Sequence, residues 1–397
     1  MPLGFFAAAA AQSDLSDAWP TVDCGALLAD DGGGLADDGG SLAANGGGCL
    51  AANGGGKSAR GAALASLRSA LETRGFFYCS NLDALMDADY IASVYEFSRR
   101  AHALPADVKR RFARPRGGYS GSDAGVEELA YEAGTTSAVR AWDYARENNS
   151  SLAASQGFWF RNRYPDFSPP FEEFIGDLFA RQQRLAVALL EGLAEMLGLE
   201  RDAFSRRLRD GAELGTVRLL RYPKAEAAAA VPDVGIGAHT DFEAFTLMHQ
   251  SAAGLQLRAV GEGAGWEDAP VRPAEFVVII GDVLERMTNG VLQATPHRVL
   301  PSLPHERYAI IRFNALRADT PVAPLAPFVT AERPKAYSDT TMAEIMEVTI
   351  GNLEAGRGAW DAVQDRSSTA RFDYDEWRRR AAAAGAARAA ASARDEL

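Results

Sequence analysis

Apolar positions in the first half of the chain fall at helical spacing. Residues 58–74 carry Leu64, Leu67 and Leu71 three or four apart and stop at Gly75, a residue suited to the left-handed turn that closes a helix. Residues 87–102 place Tyr90, Ile91, Val94 and Phe97 on one stripe, and residues 104–112 form a shorter helix. The longest stripe runs over 171–199, from Phe171 and Phe174 through Leu185 and Leu189 to Leu197, and Gly198 closes it. A stripe this continuous buries against a sheet and is core. Two short strands, 18–24 and 76–79, interrupt the helices.

From Thr216 the period changes to that of strands. Short apolar runs (T-V-R-L-L-R-Y-P, A-H-T-D-F, F-T-L-M-H-Q, G-L-Q-L-R-A, F-V-V-I-I-G-D, P-H-R-V-L, Y-A-I-I-R-F-N-A) alternate with turns rich in Gly, Pro and Asn. Many short strands after a helical half predict a mixed α/β (α+β) fold with a jelly-roll core flanked by helices. Four regions follow: 1–60, a first strand and a low-complexity insertion; 61–211, helical; 212–320, the jelly-roll core; 321–397, a C-terminal helical extension. The insertion consists of four glycine-rich units over 28–56, too short and too poor in large apolar residues to stack. Its end, G-G-G-K-S, mimics a phosphate loop, but Ala51 stands where the first glycine of that motif belongs.

Composition narrows the class. The 397 residues are 47% hydrophobic and 24% charged, ordinary for a globular chain with a large core. A net charge of −12 gives no general attraction to nucleic acid, and no apolar run reaches the ~18 residues of a membrane span. Cys24, Cys49 and Cys79 lack metal-ligand spacing, and an odd, sparse set argues against a disulfide framework. A reducing compartment, the cytoplasm, is therefore expected. The terminal R-D-E-L (394–397) resembles an endoplasmic-reticulum retention address, an alternative localisation, yet the apolar N-terminal run lacks the basic region of a signal peptide.

The chemistry concentrates between Gly237 and Arg312. His239 and Asp241 are two residues apart, which puts both on one face of an extended strand. His297 arrives from a later apolar strand, and Arg307 follows ten positions on. Two imidazoles and one carboxylate can cap a metal ion and leave its other positions open, the facial triad of non-haem Fe(II) oxygenases. An arginine nearby suits a bidentate grip on a carboxylate. A lone H-x-D is weak evidence; the ordered set is specific. His102, on a helix, His249, on another strand, and His305, in a Pro-rich turn, are read as structural.

The ordered run H-T-D-F, F-T-L-M-H-Q, G-L-Q-L, F-V-V-I-I-G-D-V-L-E-R-M-T-N-G, P-H-R-V-L and E-R-Y resembles the 2-oxoglutarate/Fe(II)-dependent dioxygenases of the isopenicillin N synthase-like family, and the likeness reaches upstream to about Pro20. The resemblance implies a double-stranded β-helix, cupin-like, with Fe(II) held by His239, Asp241 and His297. It implies 2-oxoglutarate as cosubstrate gripped by Arg307 and reached by Tyr222, with O2 as oxidant and ascorbate as an accessory reductant. The activity it implies is hydroxylation or desaturation of a small organic molecule through a ferryl intermediate, releasing succinate and CO2. Tyr119, Trp142, Phe245 and Phe313 are the candidate substrate walls, although packing explains Tyr119 and Trp142 equally well. Arg298 is expected to pair with Asp282.

Two positions depart from the family's pattern. Where R-x-S is usual, the chain reads Arg307-Tyr308-Ala309, and Leu220 stands where relatives carry an asparagine. Losing one charge-assisted hydrogen bond costs about 1.5–3 kcal/mol, or about 10- to 100-fold in affinity. A same-fold iron oxidase without 2-oxoglutarate, a catalytically weak metal- or ligand-binding member, and a cupin isomerase or hydrolase therefore remain open readings of the sequence.

Overall fold

The structure is a computed structural model. It describes residues 19–29, 55–112, 139–145, 162–209, 212–224, 235–300 and 305–355 apart from 168 and 262, with short pieces between 360 and 382. Eleven strands build its frame: β1 (Thr21–Asp23), β2 (Phe76–Ser80), β3 (Arg140–Ala145), β4 (Thr216–Tyr222), β5 (Ile236–His239), β6 (Phe245–Gln250), β7 (Leu255–Arg258), β8 (Trp266–Asp268), β9 (Phe276–Ile280), β10 (His297–Val299) and β11 (Arg307–Asn314). The larger sheet runs β1-β2-β9-β6-β11-β4-β3 and the smaller β5-β10-β7-β8. All neighbours in these two sheets are antiparallel except β1 and β2.

Each strand of the larger sheet serves two cores by simple alternation. In β6, Phe245 and Leu247 turn toward the helices, whereas Met248 turns toward the smaller sheet. In β4 the split is Val217 and Leu219 against Leu220 and Tyr222; in β11 it is Ile310 against Ala309 and Ile311. From the smaller sheet Ile236, Leu255, Leu257 and Val299 meet the inward set. Burial on both faces is why strands such as F-V-V-I-I read as unbroken apolar runs.

The helix layer lies on the outer face of the larger sheet. It comprises α1 (Cys24–Leu28), α2 (Gly55–Thr73), α3 (Ala88–Ala103), the short α4 (Ala106–Lys109) and α5 (Phe171–Met196). Asp87 caps α3 by accepting from Tyr90 N at 2.8 Å. Gly75 and Gly198 take the left-handed conformation after α2 and α5, at φ +80° and +74°. The stripe of α5, from Phe171 to Leu197, is buried core. Further on, α6 (Asp282–Met287) sits beside the site and α7 (Met342–Glu354) opens on a Thr341–Glu344 capping box. Among the described residues no helix is long and apolar enough to cross a membrane.

The N-terminal half contributes more to the sheet than its helical pattern implies. β1 and β3 form the two edges of the larger sheet, and β2 pairs with β9. The core of the glycine-rich insertion, 30–54, and Tyr119 lie outside the described residues.

The cysteine reading is corrected. Cys24 and Cys79 form a disulfide with Cα atoms 5.5 Å apart, both fully buried. Parallel pairing of β1 with β2 brings the start of α1 beside the end of β2, a proximity that counting cysteines does not reveal. A crosslink closing a loop of this length stabilises by about 2–4 kcal/mol. Reduction, or Cys79→Ser, is therefore expected to lower the urea midpoint accordingly. An unchanged midpoint, with three titratable thiols before reduction, would contradict the bond.

Candidate active site

β5 ends at His239 and β10 begins at His297, and the antiparallel pairing sets these two residues directly opposite each other. Their ring centroids are 4.1 Å apart. Asp241 stands two residues beyond the end of β5, so strand alternation does not place it; the following loop does. Its carbonyl accepts from Asp282 N, at the start of α6, at 2.8 Å. Its Oδ2 accepts from Thr246 Oγ1 on β6. The other oxygen, Oδ1, lies 3.6 Å from His239 Nε2 and 3.7 Å from His297 Nε2. One ligand atom from each of the three buried residues fits within 4.8 Å. Gly281 lets α6 close on this loop, because a Cβ there would meet Glu243 O at 2.2 Å and Asp241 O at 3.0 Å.

The protonation of the site follows from its hydrogen bonds. His239 Nδ1 faces Gly237 O at 2.8 Å and His297 Nδ1 faces Thr295 O at 3.1 Å. A carbonyl only accepts, so each Nδ1 carries a proton and each Nε2 is the atom turned toward Asp241. Burial, and then the neighbouring His297, hold the His239 pKa well below its ordinary value. Two imidazoles and one carboxylate, with their second atoms already engaged, form a donor set suited to a divalent transition metal such as Fe(II).

A second feature lies on the larger sheet. Arg307 opens β11 opposite Tyr222 of β4 and is 0% exposed. Its Nε donates to Ala252 O at 3.2 Å and its Nη2 to Gln250 Oε1 at 3.1 Å, and its guanidinium carbon lies 4.6 Å from the Tyr222 ring centroid. Nη1 is buried with no partner among the described residues. A buried cation with an unmet donor is a ready seat for an anionic ligand. Gln250 is itself fixed, donating from Nε2 to Ala269 O at 3.0 Å.

The two departures from the family pattern meet at one place. Ala309 and Leu220 are cross-strand partners, both buried between the sheets. An apolar pair thus lies where the pattern has a hydroxyl and an amide.

The remaining candidates divide by face. Phe313 packs at the edge of the inter-sheet core, on the inner side. Trp142 and Phe245 are corrected: both are fully buried in the core between the larger sheet and the helices, because alternation along β3 and β6 turns them outward. Arg298 does not pair with Asp282. It donates to Gln256 Oε1 at 2.8 Å and lies over Trp266, while Asp282 accepts from Thr240 at 2.8 Å. His102 and His249 are structural, bonded to Leu219 O and to Tyr95 Oη and Pro273 O, and burial lowers their pKa values to about 3 and about 4.

Thr246 and Gln250 escaped the reading of the sequence. Their signal was present: in F-T-L-M-H-Q the polar residues Thr246 and Gln250 alternate with Phe245, Leu247 and His249, so they point inward with Met248.

Comparison with known proteins settles the family. The model of the 2OG-Fe(II) oxygenase superfamily matches residues 215–315, and that of the non-haem dioxygenase in morphine synthesis N-terminal region matches 50–166. The chain is 30% identical over 311 residues to jasmonate-induced oxygenase 4 of Arabidopsis thaliana, covering 76% of this chain and 81% of that protein. The chain belongs to the 2-oxoglutarate/Fe(II)-dependent oxygenase superfamily. This oxygenase is also 25% identical over 306 residues to codeine O-demethylase of Papaver somniferum, covering 76% and 79% of the two chains. A crystal structure from Caulobacter crescentus, assigned to the same oxygenase family, superposes at TM-score 0.61 with 28% identity, over 73% of this chain and 93% of that one. As a member, the oxygenase is an oxidoreductase that works with Fe(II), 2-oxoglutarate and O2.

Thr246→Val removes the donor to Asp241 Oδ2 while keeping the shape of the side chain. Affinity for Fe(II) is expected to fall about 10- to 100-fold, the usual effect of losing such a support, with the melting curve preserved. Unchanged affinity in a metal titration would show that Asp241 is held without Thr246.

Proposed function

We propose that His239, Asp241 and His297 hold the Fe(II) of this oxygenase and that Arg307 takes the far carboxylate of 2-oxoglutarate. The product of the cycle is a hydroxylated or desaturated small organic molecule, with succinate and CO2 released. The observation that carries this assignment is the Nη1 of Arg307, buried without a partner among the described residues, on the sheet that faces the triad's own. An oxidase that dispensed with 2-oxoglutarate would have no need of that donor.

When bound, the iron supplies the O2-activating and C–H-oxidising chemistry. The chain supplies position. The Nδ1–H bonds to Gly237 and Thr295 fix both rings, and Thr246 fixes the carboxylate between them. Gln250 and Ala252 orient the Arg307 guanidinium, and the Tyr222 ring backs it. Ala309 offers no hydroxyl, so Arg307 bears more of the cosubstrate's binding. The apolar surface from Leu220, Ala309, Ile311 and Met248 keeps the space between the sheets dry.

Within the superfamily we place the chain in the isopenicillin N synthase-like branch, on the order of its motifs. The buried Cys24–Cys79 bond favours residence in an oxidising compartment over the cytoplasm expected from the cysteine count.

In the absence of an organic substrate, slow succinate formation reports on cosubstrate use alone. Arg307→Ala is expected to raise KM for 2-oxoglutarate by about 10- to 100-fold, the cost of a charge-assisted bond, with a smaller change in kcat. A variant with normal KM would place the cosubstrate elsewhere.

A further inference from the structure

Most polar side chains on the inner face of the larger sheet have their bonds met. Thr246 and Gln250 are bonded to site residues, and Arg218 of β4 donates to Asp143 of β3 at 2.7 Å. Among the described residues, two buried side-chain atoms on this face lack a partner: Arg307 Nη1 and Thr216 Oγ1. The first is assigned above to 2-oxoglutarate. The second serves neither the triad nor Arg307.

Thr216 opens β4 and is 2% exposed. Val217 and Leu219 pack with the helices, whereas Leu220 and Tyr222 belong to the inter-sheet core. Alternation therefore turns Thr216 inward with the second set. Register fixes its place along the face. Thr216 is opposite Ala145 of β3 on one side and Phe313 of β11 on the other. Phe313 is in turn opposite Thr246 of β6, whose hydroxyl anchors Asp241. The row Ala145, Thr216, Phe313, Thr246 thus leads straight to the triad. With strands ~4.8 Å apart, Thr216 lies about 10 Å along that row from Thr246. Arg307 opens β11 and Phe313 stands next to its end, so the two unmatched donors occupy opposite ends of the space.

The row explains why the hydroxyl is unmatched. Its neighbours present a methyl group and a phenyl ring, and neither accepts a hydrogen bond from a hydroxyl as an oxygen would. A strand also lacks the carbonyl one turn back that satisfies threonine in a helix. Valine has the same shape and would fill the position without burying a polar atom, which is unfavourable when unbonded. Beside the hydroxyl, Phe313 is only partly buried and offers an apolar ring between Thr216 and the residue that holds Asp241.

We propose that Thr216 Oγ1 hydrogen-bonds an oxygen of the organic substrate, whose apolar body lies along Phe313 with its far side at the triad. The substrate class is then a small, largely apolar molecule carrying a carbonyl or hydroxyl oxygen remote from the carbon that is oxidised. This rests on the assignment of iron and 2-oxoglutarate above and adds the third ligand of the site. Thr216 touches the substrate and sets specificity; it takes no part in holding the metal.

The test uses the full chain loaded with Mn(II) and 2-oxoglutarate, whose uptake is measured first. Acetophenone, benzyl alcohol and cyclohexanone are then titrated by calorimetry, with toluene and ethylbenzene as ligands that lack the oxygen. Thr216→Val removes the hydroxyl and keeps the shape. It is expected to weaken at least one oxygen-bearing ligand about 3- to 10-fold, the value of one neutral hydrogen bond. The hydrocarbons and 2-oxoglutarate should stay within about twofold, and the melting temperature should hold or rise, because no group of the protein loses a bond. Thr216→Ser keeps the hydroxyl and should keep the affinity. If melting curves show that Thr216→Val does not fold, Thr216→Ala against Thr216→Ser carries the comparison. Four results would overturn the proposal. The oxygen-bearing ligands fail to bind protein that binds 2-oxoglutarate; they bind wild type and Thr216→Val alike; the hydrocarbons weaken equally, which makes Thr216 a packing residue; or 2-oxoglutarate weakens as much, which makes it a cosubstrate residue. Protein that takes up no 2-oxoglutarate would overturn the parent assignment, and this proposal with it.

Discussion

The pairing of β5 with β10 is the constraint on which the site depends. It sets His239 opposite His297 across one antiparallel ladder, and the carbonyls of Gly237 and Thr295 then fix the two rings. Both strands are short, four and three residues, and lie in the four-stranded sheet. That sheet keeps its place only because Ile236, Leu255, Leu257 and Val299 bury against the inner face of the larger one. Inter-sheet packing thus supplies the rigidity that a metal-binding triad requires of its support.

The larger sheet does two jobs with one alternating pattern. Its outward residues anchor the helices; its inward residues form an ordered series of rows. Thr246 serves the aspartate, Gln250 serves Arg307, and Ala309 and Leu220 line the space between. A polar residue on this face is costly unless it is bonded, and Thr246 and Gln250 each meet that condition through a site residue. Burial, and then the neighbouring His297, hold the His239 pKa well below its ordinary value, which leaves its Nε2 lone pair available.

Much of this was legible in the sequence, and the limits have physical reasons. The change of period at Thr216 gave the architecture, and the ordered His239, Asp241, His297 and Arg307 gave the site, because spacing along strands carries direct geometric meaning. Asp241 was assigned to the site by a strand argument, yet it sits past the strand end and is placed by α6 and Thr246. Trp142 and Phe245 were misjudged because a residue's chemistry does not state which face of a two-sided sheet it occupies. The parity of Tyr222 and Arg307 relative to neighbours in β4 and β11 did contain that information. The Cys24–Cys79 bond depends on parallel contact between β1 and β2 across 55 positions, for which the sequence has no local signal.

The central claim is that one inter-sheet space holds iron at the triad and 2-oxoglutarate between the iron and Arg307. Anaerobic titration of the Fe(II)-loaded protein with 2-oxoglutarate tests it most directly, through the visible charge-transfer band of a keto acid chelated to iron. The account predicts a saturable band reaching its limit at one 2-oxoglutarate per chain. Stoichiometric iron with no band at any concentration of 2-oxoglutarate would contradict it.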